Sequence, residues 1–237
     1  MNIPCHLLAD NQLQYIWGKA PVEGRAILFA LMIFSIFAWT VMVTKALQMR
    51  RAIKLNRLFE SEFRAQKNVF SIFERNVQID GCPLYSAYFE GCTELQARLR
   101  KGTGEPQTRR VTLKGMDHVK RALETTVARE SLKLESGLIL LAIAVSGAPF
   151  LGLLGTVWGV MRTFADVGMK EQADLQTMAP GVSAALVTTV AGLLVAIPSM
   201  FAYNWLVHNL RVLTVELDNF AQSLVSRMES EFMDDDD

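Results

Sequence analysis

The chain has 237 residues and no formal net charge, with 24 Lys plus Arg balancing 24 Asp plus Glu, and 51% of it is hydrophobic. A neutral balance removes the electrostatic drive for nucleic-acid binding, which needs a clustered basic surface, and three cysteines are too few for a disulfide framework. Distribution sets the class, because charge is absent from three long windows and crowded into what remains.

The first window, Ala26–Val43 (AILFALMIFSIFAWTVMV), is 18 residues long. As a helix it reaches roughly 27 Å, enough to cross a hydrocarbon core. Residues 1–24 offer no basic n-region and no A-x-A site follows the run, so it is expected to be a span and not a cleaved leader. Residues 44–135 follow, rich in helix formers and punctuated by Gly81, Pro83, Gly102, Gly104 and Pro106. That pattern predicts a helical hairpin with breaks near those positions. The stretch 107–135 has no proline and is expected to run straight into the next span.

Ser136–Met161 (26 residues) and Leu175–Val207 (33 residues) are the other uncharged windows. A chain this short cannot enclose three such helices in a core of its own, so the fold class is an all-α integral membrane protein with three transmembrane helices and long helical extensions. Basic residues near span ends orient it. Lys45, Arg50, Arg51, Lys54, Arg57, Lys120, Arg121, Arg129 and Lys133 flank the 44–135 segment, against Lys19, Arg25, Arg162 and Lys170 on the other side. The expected order is an external segment 1–25, span 26–43, cytoplasmic helical loop 44–135, span 136–161, short external connection 162–174, span 175–207, and a cytoplasmic C-terminal helix with an acidic tail, 208–237. Cys82 and Cys92 then stay thiols in the reducing compartment, and Cys5 has no assigned role. After the third span Leu210, Leu213, Leu217, Phe220, Leu224 and Met228 form one apolar stripe, to be packed on helices of this chain or of neighbours. The Asp234–Asp237 run reads as a solvated tail.

Small residues gather on one face of each later span. On the second these are Ala148, Gly152, Gly155, Thr156, Gly159 and Thr163; on the third, Gly181, Ala185, Thr188, Thr189, Gly192, Ala196 and Ser199. Such faces let helix backbones approach in lipid, and their hydroxyls either bond back to a carbonyl one turn earlier or line a polar path. Pro149 and Pro198 remove backbone donors mid-span, which opens a cavity or a kink. No Asp or Glu occurs in the three windows. Intramembrane ionisable groups mark proton paths, so a carboxylate for proton transfer must come from another polypeptide. The sequence lacks H-E-x-x-H, phosphate-loop, C-x-x-C and G-x-S-x-G patterns, and His6, His118 and His208 are scattered. No enzyme activity, cofactor or metal is expected.

The segments PFLGLLGTVWGVM (149–161) and LQTMAPGVSAALVTTVAGLLVAIPSMFAYN (175–204), with FSIFAWTVM in the first span, resemble the TolQ/ExbB/MotA family of proton-driven motor subunits of the bacterial inner membrane. LQTMAPG and VELDNF (215–220) are most similar to its TolQ branch, and three spans set the chain apart from the four-span MotA branch. The resemblance implies a homo-oligomeric ring, five copies in ExbB, around two copies of a single-span TolR- or ExbD-like subunit whose membrane aspartate handles the proton. It also implies a TolA- or TonB-like protein that carries the output across the periplasm. Thr156 matches the threonine of the family's GTVWG motif and Thr189 that of its third-span ALxxT motif, both facing the partner's aspartate. Thr188 and Ser183 join them as candidate lining residues. Pro180 and Gly181 match the family's P-G. Gly152, Gly155, Gly159 and Gly192, with the two mid-span prolines, set packing and helix geometry. Ala184 stands where many relatives carry a glutamate, which bears on any relay by the ring itself.

The reading that follows is an energy-transducing ring subunit of the Tol-Pal type. The alternatives are an ExbB-type subunit for TonB-dependent uptake, a non-conducting membrane scaffold, and a solute transporter, the last disfavoured by three spans without an internal repeat.

Overall fold

The computed structural model describes residues 22–75, 79–101, 110–169 and 175–233. They form five α-helices and one short 3-10 turn, with no strand among the described residues. The helices are α1 (Val22–Ala65), α2 (Pro83–Lys101), α3 (Leu113–Glu135), α4 (Leu138–Met169) and α5 (Leu175–Phe232), and the 3-10 turn is Phe73–Arg75. Three stretches are long and apolar enough to cross a membrane: α1, the α3–α4 stretch, and Met178–Phe232 of α5. The chain divides into two compact units, one of residues 1–43 and 137–204, the other of 44–136 and 205–237.

The uninterrupted run expected from residues 107–135 into the second span is broken in the structure. α3 ends at Glu135; Ser136 leaves helical geometry at φ −50°, ψ 134°, and Gly137 sits at φ +83°. A glycine just past a helix end takes this left-handed conformation without a Cβ penalty. The absence of proline from 107–135 was a weaker signal than this Ser-Gly pair.

The first unit inverts a soluble protein. Along α4 the buried positions are Leu138, Leu141, Ala144, Ala148, Gly152, Gly155 and Gly159, every third or fourth residue. Phe150, Leu153, Leu154, Val157 and Trp158 point outward, Phe150 at 71% exposure. Large side chains outside and small ones inside suit a solvent of hydrocarbon, where burial of apolar area between helices gains nothing over lipid and close backbone packing does. α1 joins through Leu31, buried with Ala148 and Ala196.

The second unit has a conventional core. Phe59 and Phe63 of α1, Tyr85 and Tyr88 of α2 and Phe220 of α5 form an aromatic cluster, with Phe63 and Phe220 edge-to-face at 5.2 Å. The C-terminal stripe packs here: Leu213, Leu217, Phe220, Leu224 and Met228 are all buried, and all but Leu213 belong to this cluster. The partners of that stripe are thus found within its own chain. Arg227 lies over the Phe63 ring at 4.9 Å and donates to the carbonyls of Phe63 and Gln66. A cation thereby closes the C-terminal end of α1, where carbonyls lack helical partners. The Tyr88 hydroxyl donates to the Val69 carbonyl at 2.6 Å and accepts from the Phe73 N–H at 2.9 Å, pinning the turn that follows.

Cys82 and Cys92 are free thiols inside this core. Burial pushes Cys92 up to about 12. A thiol that stays neutral when folded but ionises near its ordinary value of 9.0 when unfolded stabilises the fold fully below pH 9 and less as pH rises toward 12. Cys92 should therefore contribute a fall in stability through that window of about 1.4 kcal/mol per pH unit, beside those of other buried groups raised by burial, Cys82 and Tyr88. Cys92→Ala should make the fall shallower in thermal unfolding in detergent. Maleimide at pH 8 should label neither Cys82 nor Cys92 until denaturant is added.

Candidate functional site

The two small faces read from the sequence meet each other within one chain. α4 and α5 run antiparallel, and their glycines mark the line of contact. A Cβ built on Gly192 would lie 2.5 Å from the Ala148 carbonyl oxygen, one on Gly152 would lie 2.8 Å from the Thr188 carbonyl oxygen, and one on Gly159 would lie 2.7 Å from the Ala185 Cβ. A Cβ on Gly155 would run into the Thr188 side chain, and one on Gly181 into Thr163. Every contact is too close for an added side chain: at Gly152 and Gly192 backbone meets backbone, and at Gly155, Gly159 and Gly181 the bare backbone receives Thr188, Ala185 and Thr163.

This approach gathers hydroxyls around one carbonyl. The Gly152 oxygen lies 3.2 Å from Thr156 Oγ1, 3.0 Å from Thr188 Oγ1 and 3.3 Å from Thr189 Oγ1. Thr156 and Thr189 also bond to each other through their hydroxyls. The Ala185 carbonyl is a second acceptor, 2.7 Å from Thr188 Oγ1 and 3.3 Å from Thr156 Oγ1. Each hydroxyl has one proton to donate and two lone pairs to accept, so three donors divide among two carbonyls and each other in more than one satisfied arrangement. The network can reorient its protons. It holds no group that takes up or releases a net charge.

Thr156 and Thr189 are half-buried and adjacent. Thr188 was expected with them as lining, but at 1% exposure it lies in the seam against Gly155 and ties helix to helix. Ser183 is exposed and takes no part in the cluster. Pro149 and Pro180 are half-buried, as is Pro198. Ala184 is 4% exposed, so a carboxylate at that position would be desolvated within the chain.

Sequence reasoning missed two features. The Gly152 carbonyl is an acceptor as well as a packing position, and the hint was the Gly-x-x-x-Thr spacing of 152 and 156. The ion pair between Arg162 of α4 and Glu23 of α1 joins residues far apart in the chain, and nothing in the pattern pairs them. Among the described residues no cluster of His, Cys, Asp and Glu is arranged to hold a metal ion.

Residues 93–219 match the MotA/TolQ/ExbB proton channel family. The chain is 32% identical to the Tol-Pal system protein TolQ of Haemophilus influenzae over 213 residues, 90% of each chain. It is also 32% identical to the Tol-Pal system protein TolQ of Pseudomonas aeruginosa, over 79% of each. The biopolymer transport protein ExbB of Neisseria meningitidis is 29% identical across 89% of this chain and 93% of its own.

The seam predicts a graded mutational response. Gly192→Ala and Gly152→Ala must push backbones apart and should each cost about 2 kcal/mol or more, in the range of core overpacking. Gly168→Ala, with nothing within 4 Å of its Cβ, should be neutral or mildly stabilising. Melting temperatures of the three variants in one detergent would check the order.

Proposed function

Because the chain belongs to the MotA/TolQ/ExbB proton channel family, we propose that it is the ring subunit of a Tol-Pal-type motor in a bacterial inner membrane, driven by the proton gradient. In this reading several copies surround a single-span partner of the TolR type. The N-terminus and the 162–174 connection face the periplasm, and residues 44–135 and the C-terminal helix face the cytoplasm. A TolA-like protein carries the output across the periplasm.

The observation that carries the proposal is the hydroxyl network on the Gly152 carbonyl, set between spans that own no acid. Proton transport needs a group that charges and discharges, and an alcohol does neither near neutral pH. The chain therefore supplies a polar wall, and the partner's aspartate supplies the proton carrier. Ionised, the aspartate is stabilised by hydroxyls turned to donate; protonated, it donates to hydroxyls turned to accept. The rearrangeable network answers both states without moving the backbone seam. One charge moved through the membrane potential yields about 2.3 kcal/mol per 100 mV, enough to bias two packings of the partner that differ by a few kcal/mol. The buried Ala184 adds no second titrating group to the wall.

Similarity to ExbB across most of the chain supports a second reading, in which the same wall energises nutrient uptake through a TonB-like protein. Complementation separates the two: restored outer-membrane integrity in a strain lacking TolQ supports the first, restored energised uptake in a strain lacking ExbB the second.

The double variant Thr156→Val with Thr189→Val keeps side-chain shape and removes both hydroxyls. It should assemble as the wild type does yet lower motor-dependent detergent resistance at least tenfold, while the Thr→Ser pair retains it. Rings reconstituted without a partner should pass protons no faster than empty vesicles, measured with an internal pH dye.

A further inference from the structure

A cavity of about 660 Å³ opens within the helical unit of residues 44–136 and 205–237, and none of the clustered threonines lines it. Its floor is apolar, with Ala52, Tyr85 and Leu134 buried beneath it. Its rim is charged and balanced: Arg51, Arg129 and Lys133 against Asp80, Glu90 and Glu130. Lys133 and Glu130 neutralise each other at 2.6 Å. Among the described residues the remaining four are not so paired.

Arg51 is preset. Its Nη2 donates to the backbone carbonyl of Asp80 at 3.3 Å, and its Nε lies 3.6 Å from where a Cβ on Gly81 would stand. Gly81 has φ +86°, a conformation that admits glycine readily and most residues poorly. The guanidinium is thus held by a backbone carbonyl, and no carboxylate is ion-paired with it among the described residues. Arg129 makes no hydrogen bond or ion pair among the described residues. Two guanidiniums at one rim suit a phosphate, and the carboxylates of Asp80 and Glu90 beside them suit an ammonium.

Position along α1 selects the source of such a ligand. From the end of the uncharged window at Val43, Leu47 lies about 6 Å further along the helix and Arg51 about 12 Å. The headgroup layer of a leaflet is roughly 5–8 Å deep, and long basic side chains reach back toward it. Leu47, on the same rim, is 60% exposed. In the same unit Arg50 lies 5.9 Å over the ring of Trp205, and aromatic rings of this kind are enriched at the membrane–water boundary.

We propose that this cavity binds the headgroup of an aminophospholipid from the leaflet that α1 leaves at Val43, with Arg51 and Arg129 on the phosphate and Asp80 and Glu90 on the ammonium. The inference rests on membrane insertion and is independent of the motor reading.

Native mass spectrometry of the full-length protein in mild detergent tests it, with added phosphatidylethanolamine, phosphatidylglycerol, phosphatidylcholine or inorganic phosphate. Phosphatidylethanolamine should be retained at least tenfold better than phosphatidylcholine. The Arg51→Gln/Arg129→Gln double variant and Glu90→Gln should each lower that retention at least tenfold, while Lys54→Gln, outside the cavity, leaves it unchanged. Arg129→Gln alone removes no internal partner and should melt as the wild type does while binding more weakly. Undiminished retention in that single variant overturns the proposal. So does a preference for phosphatidylglycerol, or binding of inorganic phosphate without retained lipid.

Discussion

Direct contact of two backbones is the constraint on which the membrane unit rests. Between α4 and α5 the Gly152 and Gly192 positions leave no room for a Cβ, and every other feature of that unit follows from keeping them bare. In hydrocarbon, helices gain nothing by hiding leucine from a solvent as apolar as leucine. They gain by surface contact and by satisfied polar groups. Small residues therefore turn inward and Phe150, Leu153 and Val157 turn outward. The threonine cluster is a consequence of the same approach, because only backbones this near place hydroxyls of α5 on the Gly152 carbonyl of α4.

The other unit obeys the opposite rule with parts of the same helices. α1 and α5 both leave the membrane unit and contribute aromatic and aliphatic side chains to an inward core around Phe59, Tyr88 and Phe220. There water supplies the drive, and large side chains are the ones hidden. Polar groups that enter this core are satisfied one by one, as with Tyr88 between Val69 and Phe73. The solvent changes along a single helix, and the buried face changes from small to large with it.

For function, the decisive chemistry is what an alcohol lacks. Hydroxyls reorient, accept and donate, but they carry no net charge, and the windows 26–43, 136–161 and 175–207 contain no carboxylate. In the proposed reading such a wall suits a neighbour that titrates: rotation of single bonds would answer both protonation states of a partner's aspartate and leave the helix seam intact.

Periodicity and missing charge alone fixed three spans, because a bilayer demands length and apolarity that can be read one residue at a time. The small faces of α4 and α5 and the apolar stripe from Leu213 to Met228 were legible for the same reason: helical spacing puts them on one side whatever they touch. The partners were not legible. That the two small faces meet each other, that Thr188 lies in the seam while Thr156 pairs with Thr189, and that Glu23 reaches Arg162 are facts of register between segments distant in the chain. Register is set by which backbone fits against which, a property of two surfaces together that neither sequence segment carries alone.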